Sequence, residues 1–224
     1  MTDKDVWLAE HYTPFDQGCR ERFYLAATSF LFSNSDATLS NGYYFEFGCH
    51  KARTMSYAWR HTQHNFALTY VAFDSFEGLP EIEPIDKLSD WKRGSFAVSE
   101  DDFVATVLGA GMPRERLVTV KGFYDVSLTP QLSEQLLPRK AAIIYVDCDL
   151  YKSTVPVLKF IVPFLHAGTI IAFDDWNCYF ADPARGQRLA WREFREANPS
   201  LHFEPFYSTH MMASFVCTSG AREA

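Results

Sequence analysis

Ala141-Ala-Ile-Ile-Tyr-Val-Asp-Cys-Asp-Leu-Tyr-Lys-Ser-Thr154 is an apolar, β-rich run that stops abruptly in two carboxylates. Gly168-Thr-Ile-Ile-Ala-Phe-Asp-Asp-Trp176 repeats the pattern. Short runs of this kind read as strands buried on both faces, as in a parallel sheet. Asp147, Asp149, Asp174 and Asp175 then stand at the carboxyl ends of neighbouring strands, the edge where open α/β sheets bind ligands. Four acids gathered there repel one another unless protons or a cation compensate. Oxygen-only donors suit a hard divalent cation such as Mg²⁺, which keeps several waters and needs only two or three carboxylates. The plainer reading is that D-x-D and D-D are turn residues and helix caps. Two such pairs on consecutive strand ends favour the metal site.

Working outward, Gly42-Tyr-Tyr-Phe-Glu-Phe-Gly48 reads as the first strand, closed by a glycine that permits positive φ or a close backbone approach. A helix follows over 53–64. Gly48-Cys-His-Lys-Ala-Arg53 lacks the further glycines of a pyrophosphate cradle, and Glu46 before it suits a different ligand. Ala67–Phe73 is the second strand, and Asp74 at its end is placed to hold ribose hydroxyls or, more plainly, to serve the turn. Residues 80–98 form a long irregular loop, in which Trp91, Ser95 and Phe96 either wall an adenine site or pack as ordinary loop residues. Ser99 caps a helix to about 108, Leu117–Lys121 is a third strand, and Thr129-Pro130 opens a short helix. A helix is predicted from about Ser153 to His166, with Pro156 in its first turn. Another spans Arg185–Ala197, and strands over 202–206 and 211–217 close the chain.

Five β/α units and a terminal strand pair predict a Rossmann-like α/β fold: a mostly parallel, seven-stranded sheet with an antiparallel C-terminal edge and helices on both faces. Residues 1–41 are predicted as a helical extension, with Phe23, Ala26, Ala27, Phe30 and Leu31 on one face. It either packs on the sheet or acts as a lid. Residues 42–224 form the main domain.

A length of 224 residues suits one such domain, and 47% hydrophobic with 22% charged residues is ordinary for a globular protein. A net charge of −7 without a basic cluster argues against a nucleic-acid partner. No apolar run approaches the ~20 residues that span a bilayer. Five cysteines, an odd number without a C-x-x-C pair, and no signal peptide point to a reduced cytoplasmic protein.

At this point the motifs match a family. Phe45-Glu-Phe-Gly-Cys49, Phe73-Asp-Ser-Phe-Glu-Gly-Leu-Pro80, Val146-Asp-Cys-Asp-Leu-Tyr-Lys-Ser-Thr154 and Phe173-Asp-Asp-Trp176 resemble, in order and spacing, the macrocin O-methyltransferase (TylF-like) family. The D-x-D-L-Y-x-S-T block is the most specific. The resemblance implies a class I methyltransferase fold and S-adenosylmethionine as cofactor. Glu46 and Gly48 would line its methionine part, Asp74 its ribose, and Ser75, Ser95 and Phe96 its adenosine. Asp147, Asp174 and Asp175 would hold Mg²⁺, and Asp149 would be the general base, with His210 as runner-up. The acceptor would be a hydroxyl of a sugar or related natural product, and a homo-oligomer is compatible with the sequence. Where members often carry glycines, this chain has Ala52-Arg53. Arg53 then pairs either with the cofactor carboxylate or with Glu46. Two competitors are a D-x-D glycosyltransferase and a cofactor-binding module without catalysis.

Overall fold

In the computed structural model, which describes residues 2–34, 36–88 and 91–219, seven strands build one sheet. They are β1 (Tyr43–Phe47), β2 (Thr69–Asp74), β3 (Leu117–Lys121), β4 (Ala141–Val146), β5 (Ile170–Phe173), β6 (Phe203–Ser208) and β7 (Ala213–Cys217). Their spatial order is β3-β2-β1-β4-β5-β7-β6. The first five run parallel, and β7 lies antiparallel to both β5 and β6. The strand order reverses between β1 and β4, which opens a crevice at their carboxyl ends.

The helices are α1 (Asp3–Trp7), α2 (Thr13–Asn34), α3 (Ala37–Ser40), α4 (Arg53–Thr62), α5 (Glu100–Gly109), α6 (Tyr124–Ser127), α7 (Pro130–Leu136), α8 (Tyr151–Ile161) and α9 (Gly186–Ala197). They cover both faces, and the period-two alternation of each strand sorts its side chains between two cores. Tyr44, Tyr70, Ala72, Ile143 and Tyr145 face α2, α4 and α5, where Phe23, Tyr24, Met55, Trp59 and Phe103 meet them. Phe45, Phe47, Phe73, Ile144, Val146 and Phe173 face α8 and α9, against Val157, Phe160, Ile161, Trp191 and Phe194. Burying side chains of this size contributes roughly 1.5–3 kcal/mol each, so both layers hold the sheet edge rigid.

Strand register then builds the site. Phe47 lies opposite both Phe73 and Val146, and Val146 lies opposite Phe173. The next residues of the four strands, Asp74, Gly48, Asp147 and Asp174, therefore form one row across the sheet end.

Several predicted boundaries move. The fourth crossover helix starts at Tyr151 rather than Ser153, so Pro156 lies inside the helix and not in its first turn. The reason is a cap supplied from far away. Leu150 has no capping side chain, but the buried carboxylate of Asp86 accepts from the backbone N–H groups of Tyr151 at 2.6 Å and Lys152 at 3.1 Å. The helix ends at Ile161, and Pro163 falls in a 3₁₀ turn over Val162–Phe164. The short α6 is absent from the sequence reading. Asp86 also pins the irregular 80–98 loop, with Tyr179 Oη donating to its carbonyl and Arg185 to the carbonyls of Ile85 and Lys87. Residues 89 and 90 of that loop lie outside the described residues.

The N-terminal segment is helical. A π turn over Leu8–Tyr12 joins α1 to α2, and α2 buries Phe23, Tyr24, Ala27 and Leu31. Ala26 and Phe30, predicted on the same face, are only half-buried. The fully buried Tyr24 takes the inner position.

Candidate active site

The carboxyl ends of the central strands open into a cleft of about 690 Å³, within the range of small-molecule pockets. Its floor is the row just described. At Gly48, φ is +87°, and a Cβ there would stand 1.7 Å from the carbonyl oxygen of Asp147. The first strand can therefore end this close to the fourth only with glycine. Beside it, Asp74 turns its carboxylate inward, accepting from the backbone N–H groups of Cys49 and Phe76, each at 2.7 Å. The turn role and the cleft-lining position coexist, because a carboxylate has about four acceptor sites and these two backbone bonds, with a long contact from Ser75 Oγ at 3.5 Å, leave capacity for a ligand.

The four strand-end acids line the same cleft. Ligand atoms of Asp147, Asp174 and Asp175 lie within 4.8 Å of one another. Each acid is held differently. The Asp147 carboxylate makes no hydrogen bond with the described residues. Asp175 is fixed by the backbone N–H of Asp149 at 3.0 Å and by Gln187, which accepts from the Asp175 backbone N–H at 3.0 Å. Asp174 receives Nε and Nη2 of Arg20 at 2.8 and 2.5 Å on its two oxygens, and Tyr145 Oη donates to Oδ1 as well. Asp149 has φ +60°, a left-handed conformation that Asp tolerates better than most residues. That backbone turn gives Asp149 a setting unlike that of Asp147.

Burial and mutual repulsion both favour the neutral acids. Asp147 and Asp149 are held well above the usual carboxylate range, first by loss of water and then by the neighbouring carboxylates. For Asp175, burial and the charge of Asp174 push the value up to about 7. Arg20 is the one cation bonded into the cluster among the described residues. Ionising the remaining acids therefore requires further positive charge, which a divalent ion would supply.

The family model for macrocin O-methyltransferase (TylF) matches residues 55–209, more than half of the chain. The chain belongs to this family. It is an S-adenosylmethionine-dependent O-methyltransferase. None of the curated proteins matches it. Among solved structures, the O-methyltransferase NovP is 19% identical with a TM-score of 0.69, covering 89% of this chain and 80% of that one. The calicheamicin methyltransferase CalS11 is 22% identical with the same TM-score, covering 96% and 82%. An O-methyltransferase from Bacillus cereus in complex with SAH is 12% identical at 0.57, covering 88% and 81%. At these identities the likeness is one of fold, and it agrees with the Rossmann-like sheet.

The methyltransferase brings most of the expected cofactor residues to one cleft. Gly48, Arg53, Asp74, Ser75, Ser95 and Phe96 all line it. Ser75 Oγ donates to the carbonyl of Gly78 at 2.8 Å, which shapes the turn after β2. Gly78 (φ +82°) is required there, since a Cβ would come within 2.4 Å of the Ser95 carbonyl oxygen. Phe96 is half-exposed at the rim, edge-on to His50. Trp91 instead packs against Tyr179 and does not line the cleft. Where family members often carry glycine, Ala52 sits at φ +59° directly before α4. Its small buried side chain tolerates a left-handed conformation that costs about 1–2 kcal/mol for a non-glycine residue.

Two expected residues stand elsewhere. Glu46 shares a strand face with Tyr44, so its side chain enters the core beneath the cleft and does not line it. It accepts from Tyr44 Oη at 2.5 Å and Thr54 Oγ1 at 2.7 Å, and Tyr24 Oη bonds Tyr44. Thr54, not Glu46, reaches the cleft wall. Arg53 has no ion pair with Glu46. His210 also lies outside the cleft, against Phe15 and Tyr12, with Nε2 3.5 Å from Asp16 Oδ1. Of the two base candidates, only Asp149 faces the cleft.

Burial pushes Glu46 up to about 8, against the lowering effect of its two hydroxyl donors. A raised acid stabilises the fold fully below its unfolded value near 4.3 and loses that contribution as pH rises through 8. Glu46→Gln should therefore remove a slope of about 1.4 kcal/mol per pH unit from the unfolding free energy across that window. Urea titrations at pH 5, 6.5 and 8 would measure it, and parallel pH profiles for the two proteins would contradict it.

The sequence reading missed Asp16, Arg20, Tyr145 and Gln187. The i,i+4 spacing of Asp16 and Arg20 signals a helical ion pair, but nothing in it points to Asp174.

Proposed function

We propose that this O-methyltransferase methylates a hydroxyl of a sugar or related natural product, using a hard divalent cation such as Mg²⁺ held by Asp147, Asp174 and Asp175. The observation that carries the reading is the oxygen-only trio within 4.8 Å, with one member, Asp147, whose carboxylate is unengaged. The structural neighbours support the substrate class, since one of them, CalS11, is a TDP-rhamnose 3'-O-methyltransferase of calicheamicin biosynthesis.

S-adenosylmethionine supplies an activated methyl group, and a bound cation lowers the pKa of a coordinated hydroxyl. The chain's own residues do the rest. The Gly48 turn, Arg53 and Thr54 receive the amino-acid end of the cofactor, Asp74 and Ser75 the ribose, and Ser95 and Phe96 the adenine side. Orienting the acceptor oxygen in line with the methyl group contributes several kcal/mol. Asp149 takes the hydroxyl proton. Its surroundings suit that task, because burial and the neighbouring carboxylates hold its carboxyl above the usual range and so make its carboxylate a stronger base. The five free cysteines support a reducing, cytoplasmic setting. No helix among the described residues is long and apolar enough to cross a membrane.

Calorimetry tests the reading. S-adenosylhomocysteine should bind with or without chelator, MgCl₂ or MnCl₂ should bind separately, and UDP should not bind. UDP binding without S-adenosylhomocysteine binding would restore the glycosyltransferase reading. Cofactor binding without any metal binding would overturn the metal role.

A further inference from the structure

We propose that Arg20, delivered by the N-terminal helix, is a positioning residue that sets the metal affinity of the acid trio by occupying Asp174. The inference rests on the metal half of the proposed function. A carboxylate offers about four acceptor directions. On Asp174, Arg20 Nε takes one on Oδ1 and Nη2 one on Oδ2, and the Tyr145 hydroxyl takes a second on Oδ1. One direction on Oδ2 is left, so Asp174 joins a cation through a single oxygen at most. Asp147 and Asp175 carry the larger share.

The guanidinium also places a fixed positive charge on the cluster that a cation must enter. It cannot leave by deprotonation, because Arg stays charged. It is held at its other end by Asp16, one helical turn away. Asp16 in turn faces His210, and both Asp16 and Arg20 line the cleft. Further along, α2 is anchored in the core by Phe23, Tyr24, Ala27 and Leu31. Arg20 is therefore presented by a rigid element and is not a loose surface residue. Metal entry and the seating of the first turns of α2 become linked, because drawing Asp174 toward a cation strains the same fork that ties the helix to the sheet edge.

The test is Mn²⁺ binding, by calorimetry with MnCl₂ alone, to wild type, Arg20→Gln and Arg20→Lys. Removing the charge and the fork should tighten Mn²⁺ binding roughly tenfold or more in Arg20→Gln. Arg20→Lys keeps the charge but cannot span both oxygens, so its affinity should fall between the two. It carries the test if the glutamine variant does not fold. In chelator, Arg20→Gln should melt below wild type, and it should gain more from added MnCl₂. Affinities no tighter than wild type in the folded variants would overturn the proposal while leaving the metal site standing. If wild type binds no Mn²⁺ but does bind S-adenosylhomocysteine, the metal site fails and this proposal with it.

Discussion

Gly48→Ala is expected to be the most damaging glycine-to-alanine change among the described residues. The added Cβ would lie 1.7 Å from the Asp147 carbonyl oxygen and 2.7 Å from its carbonyl carbon. Both are backbone atoms, so no rotamer change relieves the overlap. Moving them apart means stretching the hydrogen bond from the Asp147 N–H to the Phe47 carbonyl, now 2.8 Å, and the one from the Gly48 N–H to the Phe73 carbonyl, now 2.9 Å. The positive φ adds strain of its own. A loss of about 3 kcal/mol or more follows from a buried backbone clash with a disfavoured dihedral. At 2–4 °C per kcal/mol for a chain of this size, the melting temperature should fall by roughly 6–12 °C. S-adenosylhomocysteine affinity should collapse with it, because the Gly48 turn and the Cys49 N–H that fixes Asp74 are both displaced. A Gly48→Ala protein with wild-type melting and wild-type cofactor affinity would contradict the geometry.

The second large effect separates function from stability. Asp147→Asn should weaken Mn²⁺ binding by about 100-fold or more, since loss of even an outer-shell group costs 10–100-fold and Asp147 is the acid left free for a ligand. S-adenosylhomocysteine binding should remain, because Asp74, Ser75 and Gly48 keep their places. The metal-free protein should become no less stable. Asp147 is raised in the fold by burial and by its acidic neighbours, so its contribution is present in acid and lost as pH climbs. Asparagine has no proton to lose, and the variant's advantage in melting temperature should grow from pH 6 to pH 8. Undiminished Mn²⁺ affinity would remove Asp147 from the cation site. A variant that melts earlier as pH rises would show that the carboxylate is compensated in the free protein.

The sheet was legible because buried parallel strands leave a strong local signal. Ala141–Val146 and Ile170–Phe173 are runs of apolar residues that end in acids, and both boundaries follow the change in composition. Helix starts were less legible where the cap is distant. Asp86 lies 65 residues before Tyr151, so no local pattern announces that α8 begins there. The facing of Glu46 was recoverable. It follows Tyr44 by two residues in a strand, so both must point to one side, and the full burial of Tyr44 shows that side to be core. Ligand-lining was read from its neighbour Gly48, one residue later and at the true edge.

The N-terminal helix shows the same division. Its buried stripe was visible as a 3.6-residue period, with Tyr24 hidden by its hydroxyl. Which charged residue at its start reaches the acids depends on how the helix crosses the sheet, and that is set by packing against α4 and the strands.

Local chemistry along the chain thus determined the strand and helix order, the Gly48 turn, and four acids at one edge of a parallel sheet. Periodicity and strand-end composition are properties of neighbouring residues. Only the tertiary structure decided how those acids differ: Asp147 free, Asp149 in a left-handed turn, Asp174 gripped by Arg20 and Tyr145, and Asp175 held by Gln187. Those distinctions arise between residues 12 to 154 positions apart, where register and helix packing, not sequence distance, set which atoms meet.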